Sequence, residues 1–163
     1  MEVKADSPKE IIRSMRIVHA ALCVGVFLMA FVIFILIQSG VQKINSDSFS
    51  GSRANIPFFI SLAIAAAFFV MARIMLRKKL QSIISSSKSV AGKLNDYRVV
   101  LIRYLALCEG PALFSVIIFF VSGDYRLYII TGIMLASMLW MAPSVKRIIN
   151  DLQLSWTEQQ EIE

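Results

Sequence analysis

What the chain has least of narrows it first. Its 163 residues hold one histidine (His19), two cysteines (Cys23 and Cys108) and four prolines. A lone histidine and two cysteines 85 positions apart form no cluster at metal-ligand spacing, so no metal centre is expected. Both cysteines fall inside apolar runs, which excludes a secreted disulfide framework. No glycine-rich phosphate loop and no nucleophile elbow is present. Acidic residues are scarce as well, 11 against 17 Lys and Arg. The usual equipment of a soluble enzyme is missing: the expectation is a non-enzymatic protein with no cofactor.

Apolar residues are what is plentiful. They make up 57% of the chain, and mean hydropathy is +0.69, above an ordinary soluble domain. A bilayer core is crossed by about 20 apolar residues in a helix. Ile17–Gln38, Ile56–Leu76, Leu101–Val121 and the shorter Leu127–Pro143 meet or approach that length. The first is too long for a signal-peptide apolar core. The expected fold class is an all-α membrane protein, a single membrane domain over 1–163 with four transmembrane helices.

The positions of the charges orient these spans. Fourteen of the 17 basic residues lie before the first span, between Arg73 and Arg103, or after the fourth; only Lys43, Arg53 and Arg126 fall elsewhere. Cationic loops resist translocation, so both termini and the middle segment are expected to be cytoplasmic, in a multi-pass protein of a bacterial inner membrane. The net charge of +6 then reads as topology and attraction to a bilayer with anionic lipids, not as nucleic-acid binding.

The middle segment carries a pattern of its own. Leu80, Ile83, Ile84, Val90, Leu94, Tyr97 and Leu101 recur at three- and four-residue intervals, which predicts a cytoplasmic amphipathic helical hairpin over about 77–100, broken near "SSSKSVAGK". Such a hairpin either lies on the membrane surface or docks a cytoplasmic or membrane protein partner. Its candidate contacts are Arg77, Lys78, Lys79, Lys88, Lys93 and Arg98. "ADSPKEII" predicts a helix start capped by Asp6 or Ser7. The Ser-, Asn- and Gly-rich stretch "SGVQKINSDSFSGSRANIP" reads as a plain loop, and the acidic tail "TEQQEIE" as a frayed, solvated end.

A short repeat is visible. "ALCVG" (Ala21–Gly25) returns as "ALCEG" (Ala106–Gly110), and "FFVMARIMLR" (Phe68–Arg77) pairs with "MLWMAPSVKR" (Met138–Arg147). Their order fits a duplicated two-helix hairpin with parallel copies; apolar helices also resemble one another by chance.

In that alignment Glu109 stands opposite Val24, and it is the unusual residue of the chain. It lies about eight residues, roughly 12 Å, inside the third span. A charge near the bilayer centre costs about 2.5–3.5 kcal/mol on insertion scales, so Glu109 is the candidate proton- or ion-binding residue. Gly110 lets a helix approach closely. Pro111 has no amide hydrogen and leaves the Leu107 carbonyl without its helical donor. Ser61, Ser115 and Ser137 are possible hydrogen-bond partners, His19 is a possible ionic one, and Arg103 is expected to snorkel to the headgroups. The alternative for Glu109 is a protonated carboxyl that serves only as packing glue.

"RVVLIRYLALCEGPALFSVIIFF" (Arg98–Phe120) resembles the ion-carrying helix of the proteolipid (c) subunit of rotary ATPases: a basic residue opens the helix, a leucine-rich stretch leads to the carboxylate, and a small residue follows. Glu109, Gly110, Leu113, Phe114, Ser115 and Val116 fit that pattern. The resemblance implies that Glu109 binds H⁺ or Na⁺, within a ring of identical chains. The chain as a whole is similar to small four-helix membrane proteins of Bacteroidetes-type bacteria that carry "ALxEGPALF", which implies a membrane location and no activity. Three functions follow as expectations: a homo-oligomer binding or conducting H⁺ or Na⁺ at Glu109; an accessory membrane subunit that recruits a partner through the basic segment; or a small proton-coupled exporter of cations.

Overall fold

The computed structural model describes residues 7–40 and 55–162. Lys4, Asp6, Lys43, Arg53 and most of the Ser- and Asn-rich loop lie outside the described residues. Among those described, every regular element is a helix: α1 (Pro8–Gln38), α2 (Ile56–Ile84), α3 (Val90–Ser122), α4 (Arg126–Trp140), α5 (Val145–Leu152) and α6 (Trp156–Gln160).

Each boundary has a local cause. Ser7 and Glu10 form a reciprocal capping box at the start of α1, with Pro8 in the first turn. Between α2 and α3 the run of serines turns its hydroxyls onto the backbone: Ser85 Oγ donates to the Ser82 carbonyl and Ser86 Oγ to that of Ile83, an alternative to continuing the helix. Ser89 then caps α3 by accepting from the Gly92 amide. Gly123, at φ +70°, closes α3 in the left-handed conformation that glycine adopts without strain. Pro143, just past α4, cannot continue that helix, and α5 leaves it at 83°.

α1, α2 and α3 are each long and apolar enough to cross a membrane; α4 with α5 makes a fourth candidate only as a bent pair. At 1.5 Å per residue α4 alone is about 22 Å long, short of the roughly 30 Å hydrocarbon core. The fourth segment expected at Leu127–Pro143 is thus a 15-residue helix followed by a turn.

α3 is the axis. α1, α2 and α4 all pack against it, whereas α1 and α2 touch each other little. The buried side chains of α3 include Tyr97, Leu101, Tyr104, Cys108, Ala112 and Phe119, spaced to form one inward stripe. The outer surface is apolar as well, with Phe27, Leu28, Phe31, Phe59, Val70 and Ile133 among the exposed side chains. A helix apolar on its outer face suits a solvent that is itself hydrocarbon.

Aromatic rings join the end of the bundle at the α3–α4 turn. Phe119 meets Tyr128 edge-on at 4.5 Å and Tyr125 at 5.2 Å, and the Tyr128 hydroxyl donates to the Ala30 carbonyl of α1. Arg126 binds Asp124 through two nitrogens and reaches Asn55 at 2.9 Å.

The opposite, basic end is closed by the tail, and here the frayed end expected for "TEQQEIE" is corrected. Ser155 and Glu158 form a second capping box, Lys93 Nζ lies 2.7 Å from Glu158 Oε1, and Ile162 is buried. Tyr97 donates to Asp151 at 2.8 Å, and Arg16 Nε to the Pro143 carbonyl at 3.2 Å. The acidic residues dock because the apolar side chains Ile148, Leu152, Leu154 and Ile162 seat the tail beside Lys93. Of the apolar positions of the middle segment, Ile83, Val90, Leu94, Tyr97 and Leu101 are buried inside the protein, and Leu80 and Ile84 are half-buried.

The Lys93 ammonium, followed by the Ser155 backbone and hydroxyl, lowers the Glu158 carboxyl from its ordinary 4.5 to about 2. A lowered folded-state pKa stabilises above the unfolded value and is lost as pH falls through the folded one. Tail docking is therefore expected to hold from pH 7 down to about 4.5 and to weaken as pH approaches 2. The pair is partly exposed, so the loss is under about 1 kcal/mol. Hydrogen exchange across 145–162 at pH 7, 5.5 and 2.5, corrected for the intrinsic pH dependence, checks this; lost protection already at pH 5.5 would contradict it.

A polar layer across the bundle

Within α1 to α4, polar side chains follow one another over about two turns of helix. On α1, His19 is buried and its Nε2 lies 2.9 Å from the Met138 carbonyl oxygen of α4. A carbonyl only accepts, so Nε2 carries the hydrogen. Cys23, one turn along α1, has its Sγ 3.8 Å from the same nitrogen. Glu109 of α3 lies within electrostatic range of Cys23.

The layer continues on the other side of α3. Cys108 receives a 3.7 Å contact from the Ser137 hydroxyl of α4, which also donates to the Met134 carbonyl at 2.7 Å. Tyr104, one turn before Cys108, is fully buried, and its hydroxyl has no partner at hydrogen-bonding geometry. Arg73 of α2 holds its guanidinium carbon 5.9 Å from the Tyr104 ring and 5.2 Å from Phe69. The series His19, Cys23, Glu109, Cys108, Ser137, Tyr104 and Arg73 thus spans all four long helices.

Glu109 is the carboxylate of this layer. It is half-buried and has no hydrogen bond or ion pair among the described residues. It lies at the edge of the one stripe of α3 that faces outward between α1 and α2: Asn95, Val99, Arg103, Ala106, Gly110, Ile117 and Val121 are the exposed positions. A side chain placed at Gly110 would meet nothing within 4 Å, so this face is open at the level of the carboxylate. Pro111 is buried, turned inward beside it.

The other expected partners are placed differently. Ser115 and Ser61 are buried with unpartnered hydroxyls and do not bond Glu109. His19 takes the α4 carbonyl, not the carboxylate. Arg103 is exposed near the basic end, beside Lys79, Ser82 and Asp96. Of the six basic candidates, Lys93 binds Glu158 and Lys88 binds Asp96 at 2.6 Å; Arg77, Lys78 and Lys79 are exposed and Arg98 is half-buried. No group of three or more His, Cys, Asp or Glu among the described residues could hold a metal ion.

The sequence does not mark Arg73 or Cys23 as site residues, whereas Tyr104 is among the aromatics it offers as lining for a cation cavity. The signal was present: His19 and Cys23, like Tyr104 and Cys108, are spaced four apart and so share a helix face. Scans against family models, curated proteins and solved structures find no match to this chain, so the layer's role is argued from its own residues.

Proposed function

We propose that this is a homo-oligomeric, multi-pass protein of a bacterial inner membrane that binds a proton or monovalent cation at Glu109, without enzymatic activity. The observation that carries the reading is a carboxyl within the apolar spans with no hydrogen bond or ion pair among the described residues. A carboxyl in that setting either protonates or gains a cation or a neighbouring group, and the open face at Gly110 gives both an ion and a second copy access to it. The weight of basic residues at one end argues for cytoplasmic termini and a cytoplasmic α2–α3 turn. The "ALCVG" and "ALCEG" stretches are read as a duplication, since Cys23 and Cys108 both enter the polar layer while Glu109 belongs to one copy alone.

The test is carbodiimide labelling of the protein in nanodiscs, read by mass spectrometry across pH, with Glu109→Gln as blank. The reagent modifies protonated carboxyls in apolar surroundings. Labelling at Glu109 that is absent from Glu109→Gln and reduced by Na⁺ is the expected result. A folded protein unlabelled at every pH would exclude a proton- or ion-binding carboxyl.

A further inference from the structure

We propose that the groove between α2 and α4 holds an acyl chain of an anionic phospholipid whose phosphate is bound by Arg73. The inference rests on the membrane placement of the helices and is independent of what Glu109 does.

Arg73 is half-buried, and aromatic rings of α2 and α3 hold it. A guanidinium presents five N–H donors in a planar fork suited to an oxyanion. None is used by a hydrogen bond or ion pair among the described residues. Neither groove wall supplies a carboxylate: α2 and α4 contain no Asp or Glu. Among the described residues no carboxylate pairs with the guanidinium, which leaves its donors to an external anion. Its position, one turn before the end of the apolar stretch Ile56–Leu76, is at the depth where glycerophosphate groups meet the hydrocarbon.

Phe69 connects this cation to the groove. It carries Arg73 over its ring and also lines the groove, with Ala65 and Ala66 of α2 and Ile130, Ile133 and Met134 of α4. The volume is about 210 Å³, below the roughly 300–1,000 Å³ of pockets for compact ligands. Leu62, the far lining residue on α2, is 11 positions from Arg73, or about 16 Å along the helix. Arg73 does not line the groove itself but sits over Phe69, which does; a lipid joins the two, with phosphate on Arg73 and chain along Phe69 and the two alanines. A headgroup without its own cation is preferred, because choline or ethanolamine would set a second positive charge near the guanidinium.

Native mass spectrometry of the detergent-purified chain tests this with phosphatidylglycerol, phosphatidylcholine of the same acyl chains, and inorganic phosphate. One tightly retained phosphatidylglycerol per chain is expected, held better than phosphatidylcholine and not displaced by millimolar phosphate. Arg73→Gln is expected to weaken it about tenfold, the scale of a lost hydrogen bond to a charged group. Ala66→Phe, which fills the groove and leaves the charge, should lower retention as well, while Lys146→Gln should not. Retention unchanged in both Arg73→Gln and Ala66→Phe overturns the proposal. Displacement by phosphate overturns the lipid in favour of a free anion. If Arg73→Gln does not fold, Ala66→Phe and the two-lipid comparison on the wild-type chain decide.

Discussion

Phe119→Ala is expected to lower the stability of the folded bundle by about 2 kcal/mol or more in a lipid environment. In a water-soluble protein, Phe→Ala in the core costs about 3–5 kcal/mol, a sum of lost transfer from water and of the void left behind. Lipid tails are as apolar as the core, so the transfer part falls away and the packing part remains. A void of roughly 100 Å³ at about 24 cal/mol per Å³ gives about 2.4 kcal/mol. The ring contacts with Tyr128 and Tyr125 are lost with it, and aromatic pairs add about 0.5–1.5 kcal/mol each. Tyr128 also holds α1 through Ala30, so the loss spreads across three helices. The counterpart is Leu28→Asp, at an exposed position in the middle of α1. On a soluble protein that change would stay within about 0.5 kcal/mol; facing lipid it is expected to cost about 3 kcal/mol. Unfolding by a denaturing detergent in mixed micelles measures both. A harmless Leu28→Asp would overturn the membrane placement of α1.

The parts of this fold that were readable from sequence are those governed by local rules. Apolar length alone marks α1, α2 and α3, and the alternation from Leu80 to Leu101 marks the helices that run past the apolar spans and break at the serines. The Ser7 cap is legible because its partner, Glu10, is three residues away. What was not legible depends on contacts between distant residues. The tail reads as solvated because Glu158 and Ile162 are unremarkable until Lys93, 65 positions earlier, is beside them. The fourth segment reads as one span because hydropathy does not register the 83° turn around Pro143. At the site, Glu109 stands out as a charge in an apolar run. Arg73, however, is masked by its basic neighbours in sequence, and only the fold sets it beside the rings of Phe69 and Tyr104.

Tyr104 separates packing from chemistry in the polar layer. Tyr104→Ala is expected to cost about 2–3 kcal/mol by the same void argument as Phe119, and to release Arg73 from one of the two rings that hold it. Tyr104→Phe should do the opposite. The hydroxyl is buried and makes no hydrogen bond of good geometry, with only the weak acceptor Cys108 and the Ser137 hydroxyl near it, and a buried polar group without a hydrogen bond costs about 1–3 kcal/mol. Removing it while keeping the ring is expected to leave stability unchanged or raise it by up to about that amount. The same holds for Ser61 and Ser115, whose hydroxyls are also buried and unpartnered on α2 and α3. Three such hydroxyls on adjoining helices are a poor solution for stability alone, since Phe and Ala would pack as well without the penalty. They become useful if a proton or a hydrated cation at the level of Glu109 passes through or pauses in this part of the bundle. The two roles give different outcomes for Tyr104→Phe. If the hydroxyl matters only to packing, the variant is at least as stable as wild type and the pH profile of carbodiimide labelling at Glu109 does not move. If it belongs to the ion's surroundings, the stability gain is accompanied by a shift in that profile or by loss of Na⁺ protection, while Tyr104→Ala changes both stability and labelling.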